Sequence, residues 1–369
     1  MALRRFSKLF QSGPVQTSKL VKDSVLIDFG SRDPNFGRQV EDIKSRILSF
    51  SQLDPSFYNC IIMQGPSSYI SESLISTIKP SENLLILSNG SIGSEMESIA
   101  SVLKKPFKTQ RFSEKITASS LSSVNFDNVS HVAMVHEEST GLLNPINEIS
   151  SYIRNKYPGV TQIVNGSQAF DWIYLKFNEI DFYYSGFHGV VQGFNGISFC
   201  IANNSVLDKA KGKFLSLALD LQDQCQYQKE NPGQFRFTPP THLVAAAYSG
   251  IREWESEGVN ARFLRLQKVK EKIINTLSLF GFDLYHPPQD LGYSCIPLKF
   301  PTHKNWNFPH FCAHLKRKGY VINPQHMQNP NLIELGTAGD ITLEDVIPFL
   351  KAIEETLKEM RIPIPIKTI

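Results

Sequence analysis

Chemistry in this chain would fall to a few polar side chains set in short, glycine-marked blocks. His188 lies in Ile180-Asp181-Phe182-Tyr183-Tyr184-Ser185-Gly186-Phe187-His188-Gly189-Val190-Val191-Gln192-Gly193-Phe194-Asn195-Gly196, a strand-like run that passes into a loop. An imidazole there could act as a general acid or base near neutral pH; the plainer reading is a satisfied loop histidine. In Gln64-Gly65-Pro66-Ser67-Ser68-Tyr69, Gly65 and Ser68 mark a turn before a helix, where backbone amides and the helix dipole favour an anion. Tyr69 would stack on a ring. The plainer reading is an N-cap beside a packing tyrosine, and Pro66 removes one amide from the loop. The five cysteines show no C-x-x-C spacing and no metal-ligand cadence, which suits reduced, buried thiols and offers no metal site.

Seven blocks, these two among them, fall in order along the chain. Phe10-Gln11-Ser12-Gly13-Pro14-Val15-Gln16-Thr17-Ser18 resembles an opening L-x-x-P-G-P-V-x-T-S, and Arg32-Asp33-Pro34-Asn35-Phe36 resembles R-E-P-x-F. The Gln64–Tyr69 block stands where Q-G-S-G-T-F is expected, and Asn89-Gly90-Ser91-Ile92-Gly93 where N-G-x-Y-G is. His136-Glu137-Glu138-Ser139-Thr140-Gly141-Leu142-Leu143-Asn144-Pro145 resembles E-T-T-T-G-L-L-N-P. The 180–196 block resembles I-D-x-x-x-S-S-x-N-K-x-x-Q-G-x-x-G, and Pro232-Gly233-Gln234-Phe235-Arg236-Phe237-Thr238-Pro239-Pro240-Thr241-His242 is the most specific block. Together they resemble the class V, fold-type I pyridoxal-phosphate aminotransferases, specifically the 2-aminoethylphosphonate:pyruvate aminotransferase group.

The resemblance implies a lysine that binds the cofactor aldehyde as a Schiff base, and Gly189 stands in its place. Counting from either end of the block gives the same position. Glycine can neither anchor the aldehyde nor move a proton. Asn165 replaces the aspartate that would keep the pyridine nitrogen charged, and asparagine carries no charge. Glu334 replaces the arginine that would grip an acidic substrate, reversing the charge. Thr140 and Thr238 keep hydroxyls where relatives touch the cofactor, Thr238 from across a dimer interface. The expectation is a degenerate, non-catalytic homologue with no cofactor, acting as a structural or interaction subunit. Two alternatives are a lysine-independent enzyme or sensor holding pyridoxal or pyridoxamine phosphate non-covalently, and a 2-aminoethylphosphonate:pyruvate transaminase by resemblance alone. The expected partner is an identical copy, an active paralogue or a larger complex.

A chain of 369 residues with 41% hydrophobic and 20% charged residues can bury substantial cores. A net charge of +3, with acids and bases interspersed, excludes a nucleic-acid stripe. No apolar run is long enough to span a membrane. The first ten residues are basic and free of acid, in the manner of a mitochondrial presequence, so cytoplasm and mitochondrial matrix both stay open.

Short apolar runs alternating with helical patterns predict an α/β fold: a large, mainly parallel-sheet domain over 23–259 and a smaller α+β domain over 260–369, preceded by a segment 1–22. Strands are expected at 59–63, 83–87, 131–135, 162–164, 181–184, 197–201, 294–298 and 332–335. Helices are expected at 67–77, 91–103, 145–156, 207–221, 241–257, 260–279, 308–318 and 342–358.

Overall fold

A computed structural model describes residues 7–169, 172–323 and 331–366. Residues 1–6, which carry much of the presequence-like composition, lie outside them. In chain order the elements are β1 (Lys8–Leu9), α1 (Lys19–Ser24), α2 (Pro34–Phe50), β2 (Tyr58–Gln64), α3 (Ser67–Ser76), β3 (Leu84–Ser88), α4 (Ser91–Val102), β4 (Phe107–Arg111) and α5 (Ala118–Leu121). There follow β5 (His131–Val135), α6 (Ile146–Lys156), β6 (Thr161–Asn165), β7 (Phe182–Gly186), β8 (Ile197–Asn203), α7 (Asn204–Lys209), α8 (Leu221–Glu230), α9 (Thr241–Glu257) and α10 (Val259–Leu279). The last are β9 (Cys295–Lys299), α11 (Phe308–Arg317), β10 (Tyr320–Val321), β11 (Leu332–Gly336) and α12 (Leu343–Glu359).

Seven strands form one sheet in the order β2-β8-β7-β6-β5-β3-β4. Only β8 runs against its neighbours; the other six point one way. Central strands such as Leu84-Leu85-Ile86-Leu87 are apolar at every position because helices cover both faces. Leu85 and Leu87 pack with α2, α6 and α9, whereas Leu84 and Ile86 pack with α3, α4 and α8. A third apolar cluster joins α10, α11, α12, β9 and β11. Phe10 belongs to it: its ring stacks on Phe349 at 3.7 Å, and β1 pairs with β10. The N-terminal segment therefore packs into the C-terminal cluster.

The expected helix over 207–221 is corrected by the structure. Two helices occupy the region, α7 capped by Asn203 and α8 capped by Asp220, whose carboxylate accepts the Asp223 N–H at 2.8 Å. Between them Gly212 takes φ +71°, which a continuous helix cannot contain.

Candidate functional site

The C-terminal ends of β2, β3, β5, β6 and β7 lie along one edge of the sheet, where ligands of open α/β sheets are bound. Each end is followed by one of the blocks singled out in the sequence. Gly65–Tyr69 follows β2, Asn89–Gly93 follows β3, Glu137–Thr140 follows β5, Asn165 ends β6, and His188–Gly189 follows β7.

Asn165 is buried at the tip of β6, and its Oδ1 accepts the Ser167 N–H at 2.9 Å and the Ser167 hydroxyl. Ser167 Oγ lies 2.8 Å from Ser67 Oγ on the first turn of α3, so the two loops are joined. Neither Ser67 nor Ser68 caps that helix; Pro66 holds the N-cap position and makes no side-chain cap bond. Gly65 has φ +104°, and the Tyr69 ring lies where a Cβ on Gly65 would stand. The ring therefore covers the very turn that would cradle an anion, although nearly half of it remains exposed (47%).

Gly189 is buried in the turn after β7. Its loop is pinned on three sides. Gln192 N donates to Gly189 O at 2.9 Å, Gln192 Nε2 to Gly339 O at 2.7 Å, and Arg262 Nη1 to Val190 O at 2.8 Å. Arg262 is itself buried and paired with Glu257 at 2.6 Å. His188 packs beside Gly13 and Gly186. Burial pushes its imidazole down to about 4, so the ring is neutral at pH 7 and is not an imidazolium acid there.

Glu334 is buried on β11, where its carboxylate accepts the Ser12 hydroxyl and Asn323 Nδ2, the latter at 2.8 Å. Ser12 is next to Gly13, so Glu334 and His188 both meet the N-terminal segment. Thr140 Oγ1 lies 3.0 Å from His286 Nε2, and burial lowers the pKa of that imidazole too. Thr238 is exposed in the loop before α9, and its neighbour Phe237 lines a cavity together with Gly65 and Tyr69.

Two buried carboxylates were not anticipated as site features. Glu137 accepts the Ser294 N–H at 3.0 Å, tying the sheet edge to the chain just before β9. Glu138 accepts two amides at the start of α4, Ile92 at 3.0 Å and Gly93 at 3.1 Å. The adjacent acids in His136-Glu137-Glu138 were the available signal. Among the described residues no group of His, Cys, Asp and Glu is arranged to hold a metal ion, and no helix is long and apolar enough to cross a membrane.

A family profile described as aminotransferase class-V matches residues 106–316. The 2-aminoethylphosphonate–pyruvate transaminase of Lysinibacillus sphaericus is 34% identical over 361 residues, covering 94% of this chain and 96% of that one. The same-named protein of Pseudomonas aeruginosa is 28% identical over 363 residues, covering 96% and 97%. Among solved structures, ureidoglycine–glyoxylate aminotransferase from Bacillus subtilis superposes with a TM-score of 0.85 at 19% identity, covering 98% of this chain and 95% of that one. Alanine–glyoxylate aminotransferase from Nostoc sp. gives 0.85 at 17% identity, covering 97% of each chain. The fold is that of the fold-type I aminotransferases.

Proposed function

The chain belongs to the class V aminotransferase family, and from that premise we propose that it keeps the family's fold without its amine chemistry, serving as a structural or interaction subunit. The observation that carries this reading is Gly189. It occupies the position at which the family pattern places the cofactor-binding lysine, in a buried loop that holds no amine side chain between residues 187 and 196.

The residues around the sheet edge do not fit a covalently held pyridoxal phosphate. That cofactor supplies an electron sink for amino-group transfer, and it needs an amine, a charged partner for its ring nitrogen and an open phosphate cradle. Here the amine is missing, Asn165 is neutral and engaged by Ser167, and Tyr69 lies over Gly65. Glu334, which accepts from Ser12 and Asn323, stands where an arginine would bind an acid. His188 is a poor substitute base because its imidazole is so weakly basic.

For assembly we propose a dimer with an identical copy or a paralogue, through the exposed loop around Thr238 and with an interface above roughly 2,000 Å². We also propose domain limits at 23–259 and 260–369, and residence in the cytoplasm or mitochondrial matrix.

A second reading is a working 2-aminoethylphosphonate–pyruvate transaminase, favoured by 34% identity across nearly the whole chain to a protein of that name. The two readings separate in one assay. The purified protein, supplied with pyridoxal phosphate, 2-aminoethylphosphonate and pyruvate, should form no alanine above a protein-free control. Sustained turnover would establish the second reading.

A further inference from the structure

The N-terminus of α4 is closed by a carboxylate that the chain supplies itself. Glu138 has no exposed surface. Its Oε2 accepts the N–H of Ile92 at 3.0 Å and of Ser139 at 3.3 Å, and its Oε1 accepts the N–H of Gly93 at 3.1 Å. Beside it, Ser91 Oγ bonds to Ser139 Oγ, joining the helix start to the loop that bears the glutamate. Gly90 makes the room: a Cβ there would lie 2.6 Å from the Glu138 carboxyl carbon. The backbone at Gly90 is extended, with φ −177°, so the glycine serves close approach and not an unusual conformation.

All three partners are N–H donors. A protonated carboxyl would waste its O–H against them, so the geometry is that of an ionised group. Burial holds this carboxyl above its ordinary range, and the three amide bonds pull it back only in part. Among the described residues no lysine or arginine pairs with it, and its compensation comes from amides and the helix terminus. Such a terminus is ordinarily where a free anion would bind. In the His136-Glu137-Glu138-Ser139-Thr140-Gly141 block, Glu138 falls on a threonine of the E-T-T-T-G pattern, so the carboxylate departs from that pattern.

We propose that Glu138 is a tethered anion. It fills the anion position at the start of α4, keeps Gly90–Gly93 ordered with nothing bound, and closes that position to phosphate and carboxylate ligands. The proposal goes beyond the reading above and stands whether or not the chain turns over any substrate.

The test uses the full chain and inorganic phosphate. Thermal unfolding is compared in sodium phosphate and in sodium chloride of matched ionic strength, for the wild type, Glu138→Thr and Glu138→Gln. The wild type gives the general salting-out shift of phosphate over chloride, against which the variants are read. Glu138→Thr should fall by about 2–4 °C in chloride and gain more from phosphate than the wild type does, because the vacated amides donate to the free anion. Glu138→Gln has the same shape but turns an amide donor toward a backbone donor. It should show faster hydrogen exchange confined to the peptide covering 90–95, and no phosphate effect beyond the wild type's. If Glu138→Thr does not fold, the exchange measurement on Glu138→Gln decides alone. Unchanged exchange in Glu138→Gln, or a folded Glu138→Thr that gains no more from phosphate than the wild type, would overturn the proposal. Neither outcome bears on transaminase turnover, so it fails or survives separately from the functional reading.

Discussion

Placing a lysine at Gly189 asks whether the missing amine sits where the family pattern puts it. The backbone permits the change, because Gly189 is not among the glycines held at positive φ. Its burial sets the cost. Overpacking a filled site costs about 1–3 kcal/mol. Keeping an amine of ordinary pKa near 10.4 neutral at pH 7 costs up to about 4.6 kcal/mol, and less if the ammonium reaches water. Loss of glycine's freedom in the unfolded chain returns about 0.4–1 kcal/mol. The net is a destabilisation of up to about 7 kcal/mol. At about 2.1 cal/mol/K per residue, the 369 residues give an unfolding entropy of roughly 0.8 kcal/mol/K, so Gly189→Lys should unfold up to about 9 °C below the wild type. Pyridoxal phosphate at about 100 times its Kd should restore about 2.7 kcal/mol, or 3–4 °C. That gain should come with visible absorption that the wild type lacks. Turnover should remain negligible until Asn165→Asp and Glu334→Arg are added, because each supplies a different function and their effects are not additive. A folded Gly189→Lys that neither absorbs nor gains stability with pyridoxal phosphate would show that residue 189 is not the anchoring position. Substantial transamination from this single change would show that the rest of the site is intact.

Further outcomes are expected. Arg262→Met removes the pair with Glu257 and the donor to Val190 O; a cost of about 2–4 kcal/mol should lower the midpoint by about 3–5 °C, and an unchanged midpoint would show that the Gly189 loop is not held from this side. His188 is lowered to about 4 in the fold, so its contribution is fully present above the unfolded value near 6.5 and is lost as pH falls from there through 4. Chemical denaturation from pH 7 to 4 should show up to about 3 kcal/mol of that decline disappearing in His188→Gln, and an identical pH slope in the variant would refute the assignment. Light scattering at micromolar concentration should find a dimer, alone or with a paralogue, and a stable monomer with both would refute the proposed interface.

Much of the sheet was readable because parallel strands covered on both faces must be apolar throughout, as Val132–Val135 is. The edge strand β4, Phe-Lys-Thr-Gln-Arg, escaped notice because one side of it is open and it needs few apolar residues. Helix α2 also went unread, although Asp33 as N-cap followed by Pro34 is a sound start signal. The 207–221 stretch misled because apolar spacing continues through a glycine that the fold holds in the left-handed region. At the site, the blocks could be located from sequence because each follows a strand end. What each side chain does there could not. Tyr69 folding over Gly65, Ser12 capturing Glu334, and Glu138 reaching amides 46 residues away depend on contacts between distant segments.

The central claim is tested most directly by incubating the purified wild-type chain with pyridoxal phosphate, reducing with borohydride, and mapping modified peptides by mass spectrometry. Lys176 is the nearest lysine preceding the loop in sequence, and it lies ahead of β7. The account predicts no pyridoxyl-lysine between residues 172 and 200 and no stoichiometric adduct elsewhere in the chain. A single lysine modified to one equivalent per chain would contradict it, because the fold would then have found another amine for the work that Gly189 cannot do.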